Sequence, residues 1–462
     1  MSDRKTFRDY SPNQKYLFPQ DVRDWLKPDD LSYFIVDVVA ELDLEALYES
    51  YDGSKGGRPA YDPRMMVALI FYAYCSGIFS SRKIEEATYH SVPFRIVTGG
   101  AHPDHDTINC FRKRHQSAFE QLFSQILHLC FKAGLVKLGH ISIDGSKIKA
   151  NASKHKAMSY SRMKKEITKI QSEIKKMLAE ADRIDSEEDK IYGKNKSYRD
   201  QIPEELRRRD TRLKKIREAK AELEAEAREA ARQEELERKQ KDEASKEAGK
   251  KKKKSKAKSV SEEPPAKAQY NFTDPESRIM KHSSSKSFEQ SYNCQVAVDS
   301  EEQVIVANRT SQKANDKKEL KPLIDKVKAH FGDIVTRKLS ADAGYYSQEN
   351  IEYLEKNGID AYVATGRLKH NEKISPCPRG RIPRNATPKE RMARKLRTKK
   401  GQKIYSARKY IAEPVFGQIK GARGFRQFLL RGYENVQSEW DLICTTHNIL
   451  KLFRSGFRFS HS

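Results

Sequence analysis

Two short segments, far apart in the chain, share the pattern that constrains the fold most. Residues 141–145 have the sequence Ile-Ser-Ile-Asp-Gly, and residues 339–344 have the sequence Leu-Ser-Ala-Asp-Ala-Gly. In both segments the side chains alternate between two faces, as they do along a β-strand. An aspartate closes each pattern and a glycine follows. We therefore predict two strands that end at Asp144 and Asp342, with each carboxylate facing a cleft.

Either motif alone has a simpler explanation, because Asp-Gly is a frequent turn sequence. Two matched copies favour a shared role instead. Aspartates at the ends of neighbouring strands would bring hard oxygen ligands together, and Mg²⁺ prefers such ligands. The pair Asp144 and Asp342 therefore predicts a site for divalent metal ions.

The charge of the chain predicts a polyanionic partner. The sequence has 90 Lys and Arg against 65 Asp and Glu, a net charge of +25, and nucleic acid is the simplest partner for such a chain. A surface that is charged only for solubility usually mixes the two signs more evenly.

Cysteine usage and hydropathy predict a cytoplasmic protein without a membrane partner. The six cysteines are scattered and form no C-x-x-C pair, so they indicate neither a zinc site nor a disulfide framework. The longest apolar stretch, residues 65–79, is too short and too interrupted to span a bilayer.

Residues 1–138 predict an all-α N-terminal domain, because apolar residues recur there at helical spacing. Its segment 102–106 contains two histidines and two aspartates, but Asp106 before an apolar helix is ordinary N-cap chemistry rather than a metal site. The helix that follows carries Arg112 and Arg114. It belongs either to a DNA-binding helix-turn-helix or to a structural bundle with a basic face, and the sequence leaves both open.

Residues 155–268 predict an insertion that consists of a helical hairpin and a basic linker. Apolar residues keep helical spacing over 167–178 and again over 204–238, but they form only a thin seam. This pattern indicates a long, exposed antiparallel pair of helices, similar to a coiled coil. The run 250–258 contains seven lysines and is typical of a disordered, solvated linker.

Residues 139–462, apart from this insertion, predict an α/β domain. The first strand is followed by a β-hairpin over 291–310 and then by helix, strand, helix and strand. This order is typical of a mixed sheet flanked by helices. The last apolar helix carries Trp440, which we predict to lie in the core beneath the sheet.

Residues 377–409 are strongly basic, with 13 Lys or Arg and one acidic residue. Several prolines and glycines lie in the same stretch, so we predict a mobile loop that makes sequence-independent contacts with phosphate. Its candidate DNA contacts are Arg391, Arg394, Lys395 and Arg397. Two further candidates, Lys147 and Lys149, follow Asp144 closely and are placed to meet phosphate.

Three segments of the chain closely resemble the signatures of bacterial insertion-sequence DDE transposases: residues 143–145, 341–345 and 413–420. In the third, the interval from Glu413 to Lys420 matches the Y-R-E-K signature of that group. Its tyrosine and arginine correspond to Tyr405 and Arg408. Four residues separate Arg408 from Glu413 where the usual pattern has three, and Lys409 occupies that spacing instead.

The resemblance implies an RNase H-like fold in which Asp144, Asp342 and Glu413 bind two Mg²⁺ or Mn²⁺ ions. It also implies that Tyr405, Lys420 and either Arg408 or Lys409 hold the phosphate next to the reacting one.

The reaction that the resemblance implies is transposition of double-stranded DNA. The enzyme would bind the terminal inverted repeats of its own insertion sequence, cleave the ends and join the freed 3′-hydroxyl to target DNA. It would work as a homodimer or higher assembly in the cytoplasm, associated with the nucleoid. Two alternatives stay open: a metal-dependent nuclease of the same fold that cuts without joining, and a non-catalytic DNA-binding protein derived from a transposase.

Overall fold

The structure is a computed structural model that describes residues 21–51, 59–192, 204–247, 262–282, 286–332, 336–366, 377, 380–383 and 385–459. The predicted lysine-rich linker at 250–258 lies outside the described residues. Within the described ranges, no helix combines the length and apolarity that a membrane crossing needs.

The described part of the N-terminal region is helical, as predicted. Asp30 caps α1 by accepting a hydrogen bond from the Ser32 amide at 2.8 Å, and Asp62 caps α3 ahead of Pro63. The cap of α6 is Asp104, which accepts from the Thr107 amide at 2.6 Å, rather than Asp106 as expected. The helices are α1 (Leu31–Ala40), α2 (Glu45–Tyr48), α3 (Pro63–Cys75), α4 (Ser81–His90), α5 (Val92–Val97), α6 (His105–Arg114) and α7 (Gln116–Lys132).

A mixed sheet forms the centre of the following region, as predicted. Its main path runs β6-β5-β1-β7-β8, in which β5 is antiparallel to β1 and β6, while β7 is parallel to β1 and β8. A further strand, β4, pairs with the start of β5, and β2 pairs with β3 outside this sheet. The strands are β1 (His140–Lys149), β2 (Ala157–Ser159), β3 (Gln269–Asn271), β4 (Arg278–Lys281), β5 (Phe288–Asp299), β6 (Ile305–Ser311), β7 (Lys338–Ala341) and β8 (Asp360–Val363).

The insertion is a pair of long helices, α8 (Tyr160–Tyr192) and α9 (Glu204–Glu247), which confirms the predicted hairpin. Their contact is a small hydrophobic cluster of its own, separate from the main core. Its buried members include Met163, Leu213 and Ile216, whereas Leu178 farther along α8 is 48% exposed. The apolar seam is therefore confined to the base of the hairpin.

Helices cover both faces of the sheet. The side chain of Thr310 on β6 donates to Gln437, and that of the next residue, Ser311, donates to Glu319. Adjacent strand residues point to opposite faces, so the helices that carry or follow these partners lie on opposite sides. The helices of this region are α10 (Leu320–Phe331), α11 (Gln348–Lys356), α12 (Pro388–Arg397), α13 (Lys399–Ser406), α14 (Arg408–Ile411), α15 (Glu413–Gly417) and α16 (Tyr433–Arg454).

The prediction of a mobile loop over 377–409 is wrong for most of that range, because α12, α13 and the start of α14 occupy residues 388–409. The sequence contains the reason. Thr387 and Glu390 form a reciprocal capping box, and Pro388 occupies the first turn, where proline is favoured. Met392 then buries one face of α12.

One continuous hydrophobic core joins the N-terminal helices to the sheet and to α16. Trp440 on α16 is fully buried, which confirms its predicted place in the core. A polar link crosses the same interface, where Arg112 donates to the Tyr74 hydroxyl at 2.8 Å and Tyr74 donates to Glu439 at 3.4 Å. The packing therefore has no gap at the predicted boundary near residue 138.

Because the insertion has its own core, we expect the rest of the protein to fold without it. The Tyr160 amide donates to the Ala268 carbonyl at 2.8 Å, so a short Gly-Ser turn can replace residues 161–267. The shortened protein should unfold cooperatively in thermal melting followed by circular dichroism. A broad, non-cooperative melt would show that the sheet depends on the insertion.

Candidate active site

The pairing of β1 with β7 brings the two predicted aspartates together. The parallel ladder ends where Ile143 pairs with Ala341, so Asp144 and Asp342 are the next residues on the two chains. The prediction that the first strand ends at Asp144 is wrong. β1 continues to Lys149, because β5 pairs with it along its whole length. Asp144 therefore lies within a strand, at the level where its parallel neighbour stops.

Glu413 lies near these aspartates, although it is far from both in the sequence. It opens α15, and its carboxylate accepts a hydrogen bond from the Arg408 guanidinium at 3.1 Å. The other terminal nitrogen of Arg408 lies 3.6 Å from a carboxylate oxygen of Asp144. A single guanidinium thus links the first strand to the third predicted carboxylate.

The structure distinguishes between Arg408 and Lys409 at this site. Arg408 is largely buried among the carboxylates, with its guanidinium carbon 6.0 Å from the centre of the Tyr405 ring. Lys409 is exposed. Arg408 is therefore the residue that faces the site, despite its shifted spacing in the sequence.

Lys420 lies beside β1, next to the residues that follow Asp144. Its ammonium group donates to the Ser146 hydroxyl at 2.5 Å and to the Lys147 carbonyl at 2.7 Å. It sits in a π-helical turn, Gln418–Ala422, and turns of this kind are frequent at functional sites. Burial lowers the pKa of Lys420.

The carboxylates repel one another in a partly dry environment. Burial raises the pKa of Asp144 to about 7, and the charges of Asp342 and Glu413 add to this rise, while Arg408 opposes it. Burial also raises the pKa of Asp342, with a further contribution from Asp316. The carboxylates of the site and its surroundings therefore outnumber the two cations beside them, Arg408 and Lys420.

A buried amide network behind the site was not predicted. Asn293 and Gln295, both on β5, donate to one carboxylate oxygen of Asp316 at 2.7 and 2.8 Å. The Tyr345 hydroxyl donates to Gln295. Two amide residues that flank Cys294 on an otherwise apolar strand were a usable signal in the sequence.

Two glycines allow this network to approach the aspartates. A Cβ atom at Gly145 would collide with the Gln295 side chain. A Cβ atom at Gly344 would lie 2.9 Å from carboxylate oxygens of both Asp316 and Asp342. Close approach, rather than turn formation, thus explains why glycine follows each aspartate.

Two predicted DNA contacts lie in the N-terminal region, and the structure separates them. Arg112 is buried and donates to Tyr74 and to the Phe79 carbonyl, so its prediction as a DNA contact is wrong. Arg114, two residues later, is exposed.

The predicted DNA contacts that follow Asp144, and those on α12, differ in whether their charged groups are free to contact phosphate. Lys147 donates to the Lys281 carbonyl at 3.1 Å, and Lys149 is exposed with Glu289 at 3.9 Å. On α12, Lys395 is paired with Asp360 and Arg394 donates to backbone carbonyls. The remaining candidates, Arg391 and Arg397, are exposed and partly exposed.

The donor set suits a divalent cation, although the side chains are not gathered around one point. Within the described ranges, no three acidic, histidine or cysteine side chains meet the spacing of a metal site. The guanidinium of Arg408 instead bridges Asp144 and Glu413 as a stand-in cation. Arg408 balances part of the negative charge of these carboxylates. Carboxylate oxygens are the ligands that Mg²⁺ and Mn²⁺ prefer.

Two family profiles match the chain. The one described as "Transposase domain (DUF772)" matches residues 20–114, and the one described as "Transposase DDE domain" matches residues 262–449. The second match contains Asp342 and Glu413, while Asp144 and most of the insertion lie between the two. No curated protein and no solved structure matches the chain. The two matched segments together span more than half of the sequence, and the chain belongs to the insertion-sequence DDE transposases, with an RNase H-like catalytic fold.

Proposed function

We propose that this transposase binds the terminal inverted repeats of its own element, cleaves the DNA at those ends and joins the 3′-hydroxyl to target DNA. The observation that carries the proposal is that the β1–β7 ladder places Asp144 beside Asp342, while Arg408 links Asp144 to Glu413. Two neighbouring strands and one helix carry or directly precede these carboxylates, which supports a shared role for them.

In this proposal the three carboxylates hold two Mg²⁺ or Mn²⁺ ions. When bound, such ions activate the attacking oxygen and stabilise the leaving oxygen in an in-line displacement. Arg408 then exchanges its contacts with Asp144 and Glu413 for the phosphate next to the reacting one. Its planar fork suits a phosphate as well as a carboxylate.

Lys420 and Tyr405 complete the phosphate-binding side of the site. Lys420 donates a hydrogen bond to Ser146 on β1, and this contact keeps its ammonium group close to Asp144. Tyr405 packs beside the Arg408 guanidinium, restricting its position. Both residues would orient the scissile strand beside the three carboxylates.

Further DNA contacts are proposed for the exposed cations around this centre. Arg114, Lys149, Lys409, Arg391 and Arg397 are accessible at least in part. Lys147, Arg394 and Lys395 would have to leave present partners to contact phosphate. We propose that two subunits pair on two DNA ends, since the insertion presents long, exposed helices beyond its small core.

The first test is removal of each carboxylate's charge. Asp144→Asn, Asp342→Asn and Glu413→Gln should each lower cleavage of an end-bearing duplex in Mg²⁺ by several orders of magnitude, because each loses ion placement. Combining the changes should add little, since groups that act as a unit are not additive. DNA affinity in EDTA should stay the same or rise, because the repulsion of phosphate is reduced.

Glu434→Gln and Glu355→Gln are matched controls, since both side chains are exposed. Asp360→Asn is a poor control because Asp360 is paired with Lys395. Near-normal cleavage by Glu413→Gln would contradict its role as a ligand. The same duplex, supplied with a plasmid target, separates joining from hydrolysis: cleavage without any joined product would identify a nuclease.

The second test uses the raised pKa of Asp144. Its folded pKa of about 7 exceeds the unfolded value of about 3.9, so the folded state binds more protons between these values. The wild-type protein therefore loses stability as pH rises through this window. Asparagine does not titrate, so Asp144→Asn should raise the melting temperature in EDTA more at about pH 8 than at about pH 5.

Addition of Mg²⁺ should reduce this difference at about pH 8, because the ion stabilises the wild-type protein more than the variant. Glu434→Gln serves as the control and should follow the wild-type curve at both pH values. If the melting curves of wild type and Asp144→Asn shift in parallel with pH, the carboxyl group of Asp144 does not titrate in this range.

A further inference from the structure

A groove of about 860 Å³ lies at the base of the insertion, away from the carboxylates. One wall is formed by residues 155–158 and by Tyr270 and Phe272, which belong to the β2–β3 ladder or lie directly next to it. The first turns of α9 form the other wall. The groove is thus built where the insertion leaves the sheet and returns to it.

The lining of the groove is basic. Six Lys or Arg side chains line it, against three Glu. Two of these glutamates are already engaged, since Glu204 pairs with Arg208 and Glu222 accepts from the Tyr270 hydroxyl. Two cations are also paired, Arg208 with Glu204 and Arg212 with Glu166.

Four cations of the groove remain exposed, and among the described residues none of them forms an ion pair: Lys156, Arg162, Arg207 and Lys215. They come from three separate segments of the chain that the fold brings together. Keeping like charges side by side costs free energy, and a bound polyanion offsets this cost.

The spacing of these charges fits a nucleic-acid backbone. Arg207 and Lys215 lie eight residues apart on one face of α9, which corresponds to about 12 Å along the helix. This is the rise of about three to four nucleotides along one DNA strand. Phe272 is 37% exposed at the rim, where an aromatic ring can pack on sugars or bases.

The groove is connected to the carboxylate site by one segment of chain. From Asp144, β1 runs about 17 Å to Lys149, carrying Lys147 and Lys149, and the chain then enters the groove at His155. DNA with its cleaved phosphate at Asp144 would meet these lysines first. The groove would follow about five or more base pairs from the cleaved end.

We propose that this groove binds the phosphate backbone of the same DNA end that is cleaved at Asp144, Asp342 and Glu413. The proposal rests on the proposed function, because it assigns a second contact to the DNA substrate of that site. It gives the insertion a direct role in holding the substrate.

The test compares two sets of charge removals on the exposed surface. The groove variant is Lys156→Gln with Arg207→Gln and Lys215→Gln. The control is Arg217→Gln with Arg228→Gln and Arg232→Gln, which removes the same charge from exposed positions of α9 outside the groove. Affinity for a long duplex is measured in EDTA between about 50 and 200 mM salt.

Loss of three phosphate contacts should reduce the slope of log affinity against log salt by about 2 to 3, and affinity should fall more than tenfold at about 50 mM salt. The control should keep the wild-type slope. Equal slopes for the groove variant and the control would overturn the proposal. If the groove variant loses self-association but keeps the slope, the groove is a protein interface and its assignment to DNA fails.

A second measurement identifies which DNA is bound. A duplex with neutral methylphosphonate links about five to nine base pairs from its cleaved end should bind the wild-type protein more weakly but leave the groove variant almost unaffected. Equal weakening of both proteins would overturn the proposal, although the proposed function would stand. Failure of the wild-type protein to bind any duplex would instead contradict the proposed function itself.

Discussion

The parallel pairing of β1 with β7 is the constraint on which the site depends. Because the ladder stops at Ile143 and Ala341, the next residue of each chain is an aspartate at the same level of the sheet. The ladder hydrogen bonds hold the backbone directly before each aspartate. Burial raises the pKa of Asp144, the neighbouring carboxylates add to this rise, and Arg408 opposes it.

The surroundings of the aspartates are adapted to this crowded arrangement. Gly145 and Gly344 leave room for Gln295 and Asp316, and two amides of β5 hold Asp316 in place. A buried polar network is favourable only when its members find partners, and these hydrogen bonds supply partners for Gln295, Asp316 and Tyr345. The network makes β5 a support for the aspartates as well as a central strand.

Folding units and functional regions do not coincide in this protein. The N-terminal helices share one core with the sheet and with α16, whereas the insertion packs around a small cluster of its own. The helices that precede the sheet are therefore part of the support for the site. In the described residues, the base of the insertion joins it to that support and provides the basic groove.

The sequence by itself determined the central strands and the helical hairpin, and it singled out three carboxylates as candidate ligands. These follow from local signals: alternation along a strand, helical spacing of apolar residues and signatures that include Asp144, Asp342 and Glu413. The core position of Trp440 followed in the same way from the apolar spacing of its helix.

Only the tertiary structure decided which cations face the site. Arg408, rather than Lys409, lies among the carboxylates because the helix turn sets its direction, and sequence spacing does not encode that direction. Arg112 appeared as surface charge but is buried against Tyr74, since burial depends on packing with distant helices. Asp316 and Gln295 gained their roles in the same way, through contacts between elements that are distant in the chain.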